Sequence, residues 1–319
     1  MSTSRFQPVS GFDLPRFAGV PTFMRLPHIT LDDPEIADVQ IGLIGAPWDS
    51  GTTNRPGPRH GPRQLRDLST MIRAQNGATG VRPFEAANCA DLGDVAPNPA
   101  DVMDSLDRFT KFYARVREAG IRPLTAGGDH LCSLPILRGL ASDGPLGMIH
   151  FDSHTDLFHS YFGGTMYTHG TPFRRAVEEG LLDPKRVVQI GIRGPQNTEE
   201  GWAFSIEHGM RVIYMEEFTE MGVEAVIAEA LHQVMEACGY VQKRGENKFH
   251  GYKYAGEADL LEVLRPAIVE AGLMLIPSDR EISPIDQFGN TTVTVDYTLL
   301  HKDGAVWPEK ITAFGCGND

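Results

Sequence analysis

The chain has 319 residues, of which 41% are hydrophobic and 22% charged, a balance typical of a globular protein with a core of its own. A net charge of −13 disfavours a surface built throughout for nucleic acid or anionic lipid. No stretch approaches the ~18 consecutive apolar residues of a membrane span. The first residues lack the apolar core of a signal peptide, and the four cysteines lie far apart. We therefore expect a cytoplasmic protein with reduced thiols and no membrane partner.

Predicted strands and helices alternate between about residues 39 and 230. Short apolar runs predict strands at Val39–Gly45, Ala87–Val95, Ile121–Ala126, Leu146–Phe151, Val187–Ile192 and Arg211–Tyr214. Helical patterns lie at Pro62–Gln75, Ala100–Ala119, Leu131–Leu140 and Pro172–Glu179. This alternation is typical of βαβ units, so the sequence predicts an α/β protein with a mostly parallel sheet in three α/β/α layers. Ligands of such folds bind beyond the carboxyl ends of the strands.

The composition changes near residue 231, at the end of a helix that begins around Val223. Residues 240–254 are rich in basic and aromatic side chains, and a helix is predicted at Gly256–Ala271. An apolar run at Leu273–Ile276 and an alternating, antiparallel-type strand at Thr291–Leu300 follow. We therefore predict two domains, residues 1–231 and residues 232–319, the second a small α+β segment.

Two groups of polar residues directly follow predicted strands. Asp152, His154 and Asp156 alternate after Leu146–Phe151, so their side chains can project to one side of an extended segment. Two glycines turn the backbone tightly after Ile121–Ala126 and place His130 at that strand end. Each group alone also fits a capped turn or a structural histidine. Together they predict a site for Mn, Fe or Zn, because carboxylate and imidazole ligands suit these metals.

These two segments resemble known metal motifs. Gly127-Gly-Asp-His130 and Asp152-Ser-His-Thr-Asp156 are similar to the first two metal motifs of the ureohydrolase (arginase/agmatinase) family. Further similar segments are Gly45–Gly51, Arg55–Arg63, Asp91–Asp94, Thr168–Gly170, Phe173–Ala176 and Gln189–Arg193. The resemblance covers about residues 10–230. It is strongest to the agmatinase-like branch that includes guanidinobutyrase and guanidinopropionase.

The resemblance implies a manganese hydrolase that releases urea and an amine from agmatine, guanidinobutyrate or guanidinopropionate. A two-metal site activates a bridging water in such enzymes. By the same resemblance, Asp152 bridges both metals, His130 and Asp156 serve one metal, and His154 serves the other. A homo-oligomer is also implied.

Two further residues receive roles from the resemblance. His169 matches the family's active-site histidine, which shuttles protons or orients the substrate; the alternative is a loop hydrogen bond. Asp129 is expected to fix the orientation of a metal ligand. Arg55, Arg59 and Arg63 are interpreted as structural charges and not as catalytic residues.

The sequence departs from the family at its third metal motif, Ser-Phe-Asp-x-Asp-x-x-Asp-Pro, which does not occur. A later segment that supplies a carboxylate for the substrate is also missing. We therefore expect at most one Mn²⁺ instead of two, and urea release near background. Asp279, Glu281 and Asp296 are the candidates for replacement ligands, although Pro277 argues against a central strand there.

The departure has a structural consequence. In the family, two late strands lie between those that correspond to Ile121–Ala126 and Leu146–Phe151. Without them, we expect both of these strands to leave backbone groups and apolar faces exposed.

The second segment resembles the N-terminal half of the Erf family, whose members bind and anneal single-stranded DNA. The similarity includes Lys248-Phe-x-x-Tyr-Lys-Tyr254. In such a role, aromatic rings stack on bases and lysines contact phosphates. The candidate aromatic residues are Phe249, Tyr252 and Tyr254, and the candidate lysines are Lys243, Lys248 and Lys253. A solvated turn with core aromatics is the structural alternative. Two interpretations of the whole chain therefore compete with a guanidino hydrolase. In one, the chain is a fusion that binds single-stranded DNA; in the other, it joins two partial genes and has no function of its own.

Overall fold

The computed structural model describes residues 5–236, 268–269, 272–282, 290–308 and 310–318. By its contacts the chain divides into two compact units. The first unit comprises Met1–Leu146, Thr155–Leu182 and Thr198–Phe204, and the second comprises Gly147–His154, Asp183–Asn197 and Ser205–Asp319. The domain boundary expected near residue 231 stays a prediction.

The first unit is built on a three-stranded sheet. Its strands are β1 (Ile41–Ala46), β2 (Cys89–Asp94) and β3 (Arg122–Gly127), in the order β2-β1-β3. Both strand pairs are parallel. The helices of this unit are α1 (Gly61–Leu68), α2 (Pro83–Ala86), α3 (Val102–Glu118), α4 (Ser133–Leu140) and α5 (Pro172–Glu178).

The second unit carries two further sheets. The strands β4 (Leu146–Phe151), β5 (Leu182–Ile192) and β6 (Arg211–Tyr214) lie in that order, and β5 pairs with β6 in parallel. The helices α7 (Met215–Met221) and α8 (Val223–Glu236) accompany them, while α6 (Glu200–Glu207) has its first five residues in the first unit and its last three in the second. An antiparallel sheet follows, formed by β7 (Leu273–Ile282), β8 (Asn290–His301) and β9 (Ile311–Asn318). The predicted class is confirmed: a mostly parallel α/β/α fold with a small antiparallel segment.

β3 and β4 each lie at the edge of a sheet, as expected from the missing strands. Within the described residues, each has a strand neighbour on one side alone. Parallel sheets normally have both faces covered, yet Leu124 of β3 is 54% exposed and Phe151 of β4 is 71% exposed. The prediction of uncovered apolar residues at these two strands is therefore confirmed.

Pro277 lies within β7, which pairs with β8 alone among the described strands. The register of that pair shifts between Pro277 and Asp279. A proline has no N–H to donate, so an edge position beside an irregularity suits it. The prediction that Pro277 argues against a central strand is confirmed.

The candidate replacement ligands lie in the same sheet. Asp279 is the register partner of Asp296. The Asp296 carboxylate accepts a hydrogen bond from Thr312 Oγ1 at 2.6 Å. The side chains of Asp279 and Glu281 lie outside the described residues, so their role stays a prediction.

Helix α3 supports the first sheet through a defined start and a buried face. The Asp101 carboxylate caps the helix by accepting hydrogen bonds from the N–H groups of Met103 and Asp104 at 2.9 and 3.0 Å. Tyr113 is fully buried, and its hydroxyl lies 2.6 Å from Thr125 Oγ1 on β3. Burial raises the pKa of Tyr113, so this hydroxyl stays protonated.

Replacing Gly139 by alanine is expected to destabilise the packing of α4 on α3. A Cβ at Gly139 would lie 2.8 Å from the Thr110 carbonyl oxygen and 2.9 Å from the Ala114 nitrogen. Such overpacking costs about 1–3 kcal/mol, and the higher helix propensity of alanine offsets roughly 1 kcal/mol of it. Urea denaturation should show a net loss of up to about 2 kcal/mol. In the control Gly77→Ala, where nothing lies within 4 Å, the change should stay within about 0.5 kcal/mol. Equal changes in both variants would contradict the close approach of these helices.

Within the described residues, no helix is both long and apolar enough to cross a membrane. The described cysteines Cys89 and Cys132 are free and buried. Burial raises the pKa of both thiols, which keeps them protonated and unreactive.

Candidate active site

A tight turn at the end of β3 places His130. Gly128 adopts a φ of +57°, and a Cβ there would collide with the carbonyl oxygens of Ala46 and Trp48. Only glycine fits both the conformation and the space. The turn predicted from the Gly-Gly pair is therefore present.

Asp129 fixes this turn to a neighbouring loop. Its carboxylate is buried and accepts hydrogen bonds from the N–H groups of Leu131 at 2.8 Å and Gly51 at 2.7 Å. Burial raises the pKa of Asp129, while the two N–H donors favour its charged form. The Asp129 carboxylate thus holds two backbone N–H groups in place. Its expected role in orienting a metal ligand stays a prediction.

The structure brings His130 and Asp156 together. His130 Nδ1 lies 2.7 Å from Asp156 Oδ2, and the His130 ring meets the Phe173 ring edge-on at 5.0 Å between centroids. Asp156 is buried and has a φ of +52°, a left-handed conformation that is uncommon outside glycine. Such conformations persist where the surroundings enforce them, and they cluster at functional sites. The two residues assigned to one metal are thus adjacent.

Asp152 and His154 follow β4 and are also adjacent to each other. The Asp152 N–H donates to the Ile190 carbonyl at 3.1 Å, which anchors this strand end to β5. The Asp152 carboxylate accepts a hydrogen bond from the His154 N–H at 3.0 Å. The His154 imidazole is exposed, with 64% of its side chain accessible. Its Nδ1 lies 3.2 Å from Ser153 Oγ, so a fixed carboxylate and an exposed imidazole with a hydroxyl partner lie at this strand end.

His150 was not assigned a role from the sequence, but it directs the Asp152 carboxylate. Ser205 Oγ donates to Gln189 Oε1 at 3.3 Å, so the Gln189 amide nitrogen faces His150 Nδ1, 3.0 Å away. An amide nitrogen can only donate, which leaves Nδ1 as the acceptor and puts the ring proton on Nε2. Nε2 lies 3.3 Å from Asp152 Oδ2 and donates to it. This relay (Ser205, Gln189, His150) thus orients the Asp152 carboxylate through a hydrogen bond to its Oδ2.

The segment Gln189–Arg193 gives this strand end its shape. Gly191 has a φ of +87°, and the register of β5 against β6 shifts between Ile190 and Ile192. A cavity of about 500 Å³ opens there, within the second unit. It is lined by Phe151, Asp152, Ser153, Ile190, Gly191, Arg193, Met215 and Phe218.

His169 is held by the loop that follows β1. Its Nε2 lies 2.8 Å from Thr53 Oγ1, and its backbone N–H donates to the Gly51 carbonyl at 2.9 Å. This is the loop hydrogen bond that the alternative interpretation described. The same contact holds the imidazole at its Nε2 edge, and the catalytic role of His169 stays a prediction.

Arg59 forms the ion pair that a structural role requires. Its Nε donates to the Asp49 carboxylate at 2.5 Å, and Asp49 is buried. The Arg59 guanidinium holds the pKa of Asp49 below its usual range, helped by the N–H groups of Gly57 and Arg59. Arg55 and Arg63 are exposed.

The six residues proposed to contact DNA lie outside the described residues. They are Lys243, Lys248, Phe249, Tyr252, Lys253 and Tyr254.

The strands β1–β6 and the polar motifs that follow β3 and β4 lie within a segment that matches a known family. The sequence model of the arginase family matches residues 39–241, and the chain belongs to that family, whose members are ureohydrolases. Residues 227–315 match the model of the ERF superfamily.

Individual relatives specify the branch. A guanidinopropionase of Pseudomonas aeruginosa is 47% identical over 313 residues, covering 94% of this chain and 95% of that protein. A guanidinobutyrase of the same species is 43% identical over 235 residues, covering 73% of each chain. The solved structure of the proclavaminate amidino hydrolase from Streptomyces clavuligerus superimposes with a TM-score of 0.63 at 38% identity, over 69% of this chain and 72% of that one.

Proposed function

We propose that this chain binds Mn²⁺ and a linear guanidino compound through the residues that match the metal motifs of the family. We also propose that it hydrolyses the compound to urea and an amine only slowly. The proposed metal ligands are His130, Asp152, His154 and Asp156, and the proposed substrates are agmatine, guanidinobutyrate and guanidinopropionate. The observation that carries the proposal is the Asp152 carboxylate, fixed at the end of β4 by the relay through His150.

The donor atoms fit manganese. Carboxylate oxygens and imidazole nitrogens are ligands that suit Mn²⁺. His130 Nδ1 and Asp156 Oδ2, 2.7 Å apart, are close enough to bind one ion, since ligand bonds are about 2.0–2.6 Å. When bound, the metal lowers the pKa of a coordinated water and so supplies hydroxide at neutral pH. His169, held by Thr53, is the proposed proton carrier for the leaving amine.

The slow rate follows from the missing motif. No Asp-x-Asp sequence occurs anywhere in the 319 residues. The two aspartates of the family's third metal motif are therefore not supplied. A guanidinium is resonance-stabilised, and hydrolysis depends on hydroxide held at a two-metal site. We therefore expect urea release at or near background.

The experiment is a urea assay on the full chain with Mn²⁺ and each of the three guanidino substrates. Urea at or near background is expected, together with calorimetric binding of at least one of the substrates. Manganese-dependent turnover at a rate typical of enzymes, about 1–10³ s⁻¹, would contradict the incomplete site. A chain that binds neither manganese nor any of the substrates would contradict the proposal as a whole.

Removing the relay is expected to weaken metal binding. His150→Ala removes the imidazole that donates to Asp152 Oδ2, and loss of such a partner behind a ligand typically costs about 10–100-fold in metal affinity. Calorimetric Mn²⁺ titration measures the change. His60→Ala, which removes an exposed imidazole at the start of α1, is the matched control and should leave the affinity unchanged. If both variants bind Mn²⁺ as the unchanged chain does, His150 does not position Asp152.

Single-stranded DNA binding is the second candidate function, and the match of residues 227–315 to the ERF superfamily supports it. A labelled oligonucleotide titrated with the full chain should then show anisotropy changes that fall steeply with salt. Replacing Lys243, Lys248 and Lys253 together by alanine should weaken that binding. No binding at low salt would exclude this function.

The expected homo-oligomer and cytoplasmic location also stay predictions.

A further inference from the structure

Helix α8 is buried on two of its sides. Val226 and Ala230, one turn apart, are 1% and 2% exposed and pack on the sheet formed by β5 and β6. Ala228 is also fully buried, although it projects about 160° away from both of them around the helix. A helix that packs on one sheet alone leaves its opposite side in water, so α8 has a second neighbour.

The C-terminal segment contacts α8 at two points on this second side. His232 Nε2 lies 3.3 Å from the Val269 carbonyl oxygen and donates to it. The turn that follows β8 contacts the helix two turns earlier, where a Cβ at Gly304 would lie 3.4 Å from Ala225 Cα. Ala225, Ala228 and His232 are spaced by three and four residues, so they share one side of the helix.

Both contact points belong to one end of the antiparallel sheet. The Lys302 N–H donates to the Gly272 carbonyl at 2.8 Å, and the Gly272 N–H donates to the Val269 carbonyl at 2.8 Å. These bonds join the segment before β7 to the turn after β8. Met274, the second residue of β7, is 1% exposed. The contacts to α8 therefore come from a hydrogen-bonded end of the sheet with a buried interior.

We infer that the C-terminal sheet docks on α8 as an outer layer of the second unit, so that β7, β8 and α8 unfold together. The matches to the arginase family and to the ERF superfamily overlap at residues 227–241, which include most of α8. The boundary predicted near residue 231 then marks a change of family and not a division between two bodies that fold independently. By linkage, a ligand that binds either segment stabilises both.

Hydrogen–deuterium exchange with mass spectrometry on the full chain tests this docking, because it reports opening segment by segment. Ala228→Glu places a charge in a fully buried position, so exchange should accelerate at least about tenfold in β7 and β8 as well as in α8. Ile227→Glu is the matched control, since it adds the same charge one residue away, at a residue that is 49% exposed. It should leave exchange in β7 and β8 within about twofold of the unchanged chain.

Two results for Ala228→Glu would overturn the inference. Faster exchange in α8 alone would make the sheet an independent domain, and unchanged exchange in all three elements would mean that Ala228 does not lie in an interface. If circular dichroism shows that this variant loses its secondary structure, His232→Ala decides, because it removes a single hydrogen bond. It should accelerate exchange in β7 and β8 by about 2–10-fold, the typical worth of such a bond. An effect confined to α8, or none, would overturn the inference.

Discussion

Replacing Asp91 by alanine is expected to lower the free energy of unfolding by about 3–5 kcal/mol, the typical cost of removing one partner of a buried ion pair. Asp91 is 1% exposed and accepts hydrogen bonds from Arg66 Nε at 2.7 Å and Arg66 Nη2 at 2.9 Å. It also accepts from the N–H groups of Phe23 and Gly93, both at 2.9 Å. The variant leaves the guanidinium, which lies over the Phe23 ring, with Asp94 as its remaining carboxylate partner and leaves the two N–H groups without their acceptor.

Urea denaturation measures this effect, with Asp32→Ala as the control. Asp32 pairs with Arg115 on the surface, where its side chain is 82% exposed. An exposed pair contributes about 0–1 kcal/mol, so the control should hardly move the unfolding midpoint. Similar losses in both variants would contradict a larger contribution of the buried Asp91–Arg66 pair to stability.

Supplying the missing motif is expected to raise urea release by at least about 10²–10³-fold, the typical worth of one group that stabilises developing charge. The change is a family-type Ser-Phe-Asp-x-Asp segment with its following strands, inserted after residue 231. These strands would cover the exposed residues of β3 and β4, and the aspartates would complete the metal ligands. A urea assay with 3-guanidinopropionate and Mn²⁺ measures the gain.

The matched control carries the same graft with both aspartates replaced by asparagine. It supplies the strands without the carboxylates, so it should improve stability and leave urea release at background. A grafted chain that folds, binds two manganese ions and still releases no urea would show that the residues kept here do not form a competent site. Equal gains from both grafts would assign the effect to folding alone.

The sequence predicted those elements whose pattern is strong and local. β4 and β6 have the predicted bounds, because each is a short, mainly apolar run bounded by residues that do not continue the pattern. β9 was missed, since Gly315 and Gly317 interrupt its segment and glycine disfavours strands. α6 was missed because its segment has little amphipathic periodicity.

The site was predicted as far as its motifs are contiguous. His130, Asp152, His154 and Asp156 each follow a strand within a few residues, so the pattern alone indicates them. His150 sits in an apolar run, where a histidine normally indicates a core position. Its role depends on Gln189 and Ser205, which come from β5 and α6 and meet it only in the folded chain.

The most direct test of the incomplete metal site is the number of manganese ions that the chain holds. Titration followed by electron paramagnetic resonance distinguishes an isolated Mn²⁺ from a coupled pair and counts the bound ions. We expect at most one uncoupled ion per chain, and we expect Asp152→Ala to abolish its binding while His60→Ala does not. A coupled pair in the unchanged chain, or a signal that survives Asp152→Ala, would contradict the account.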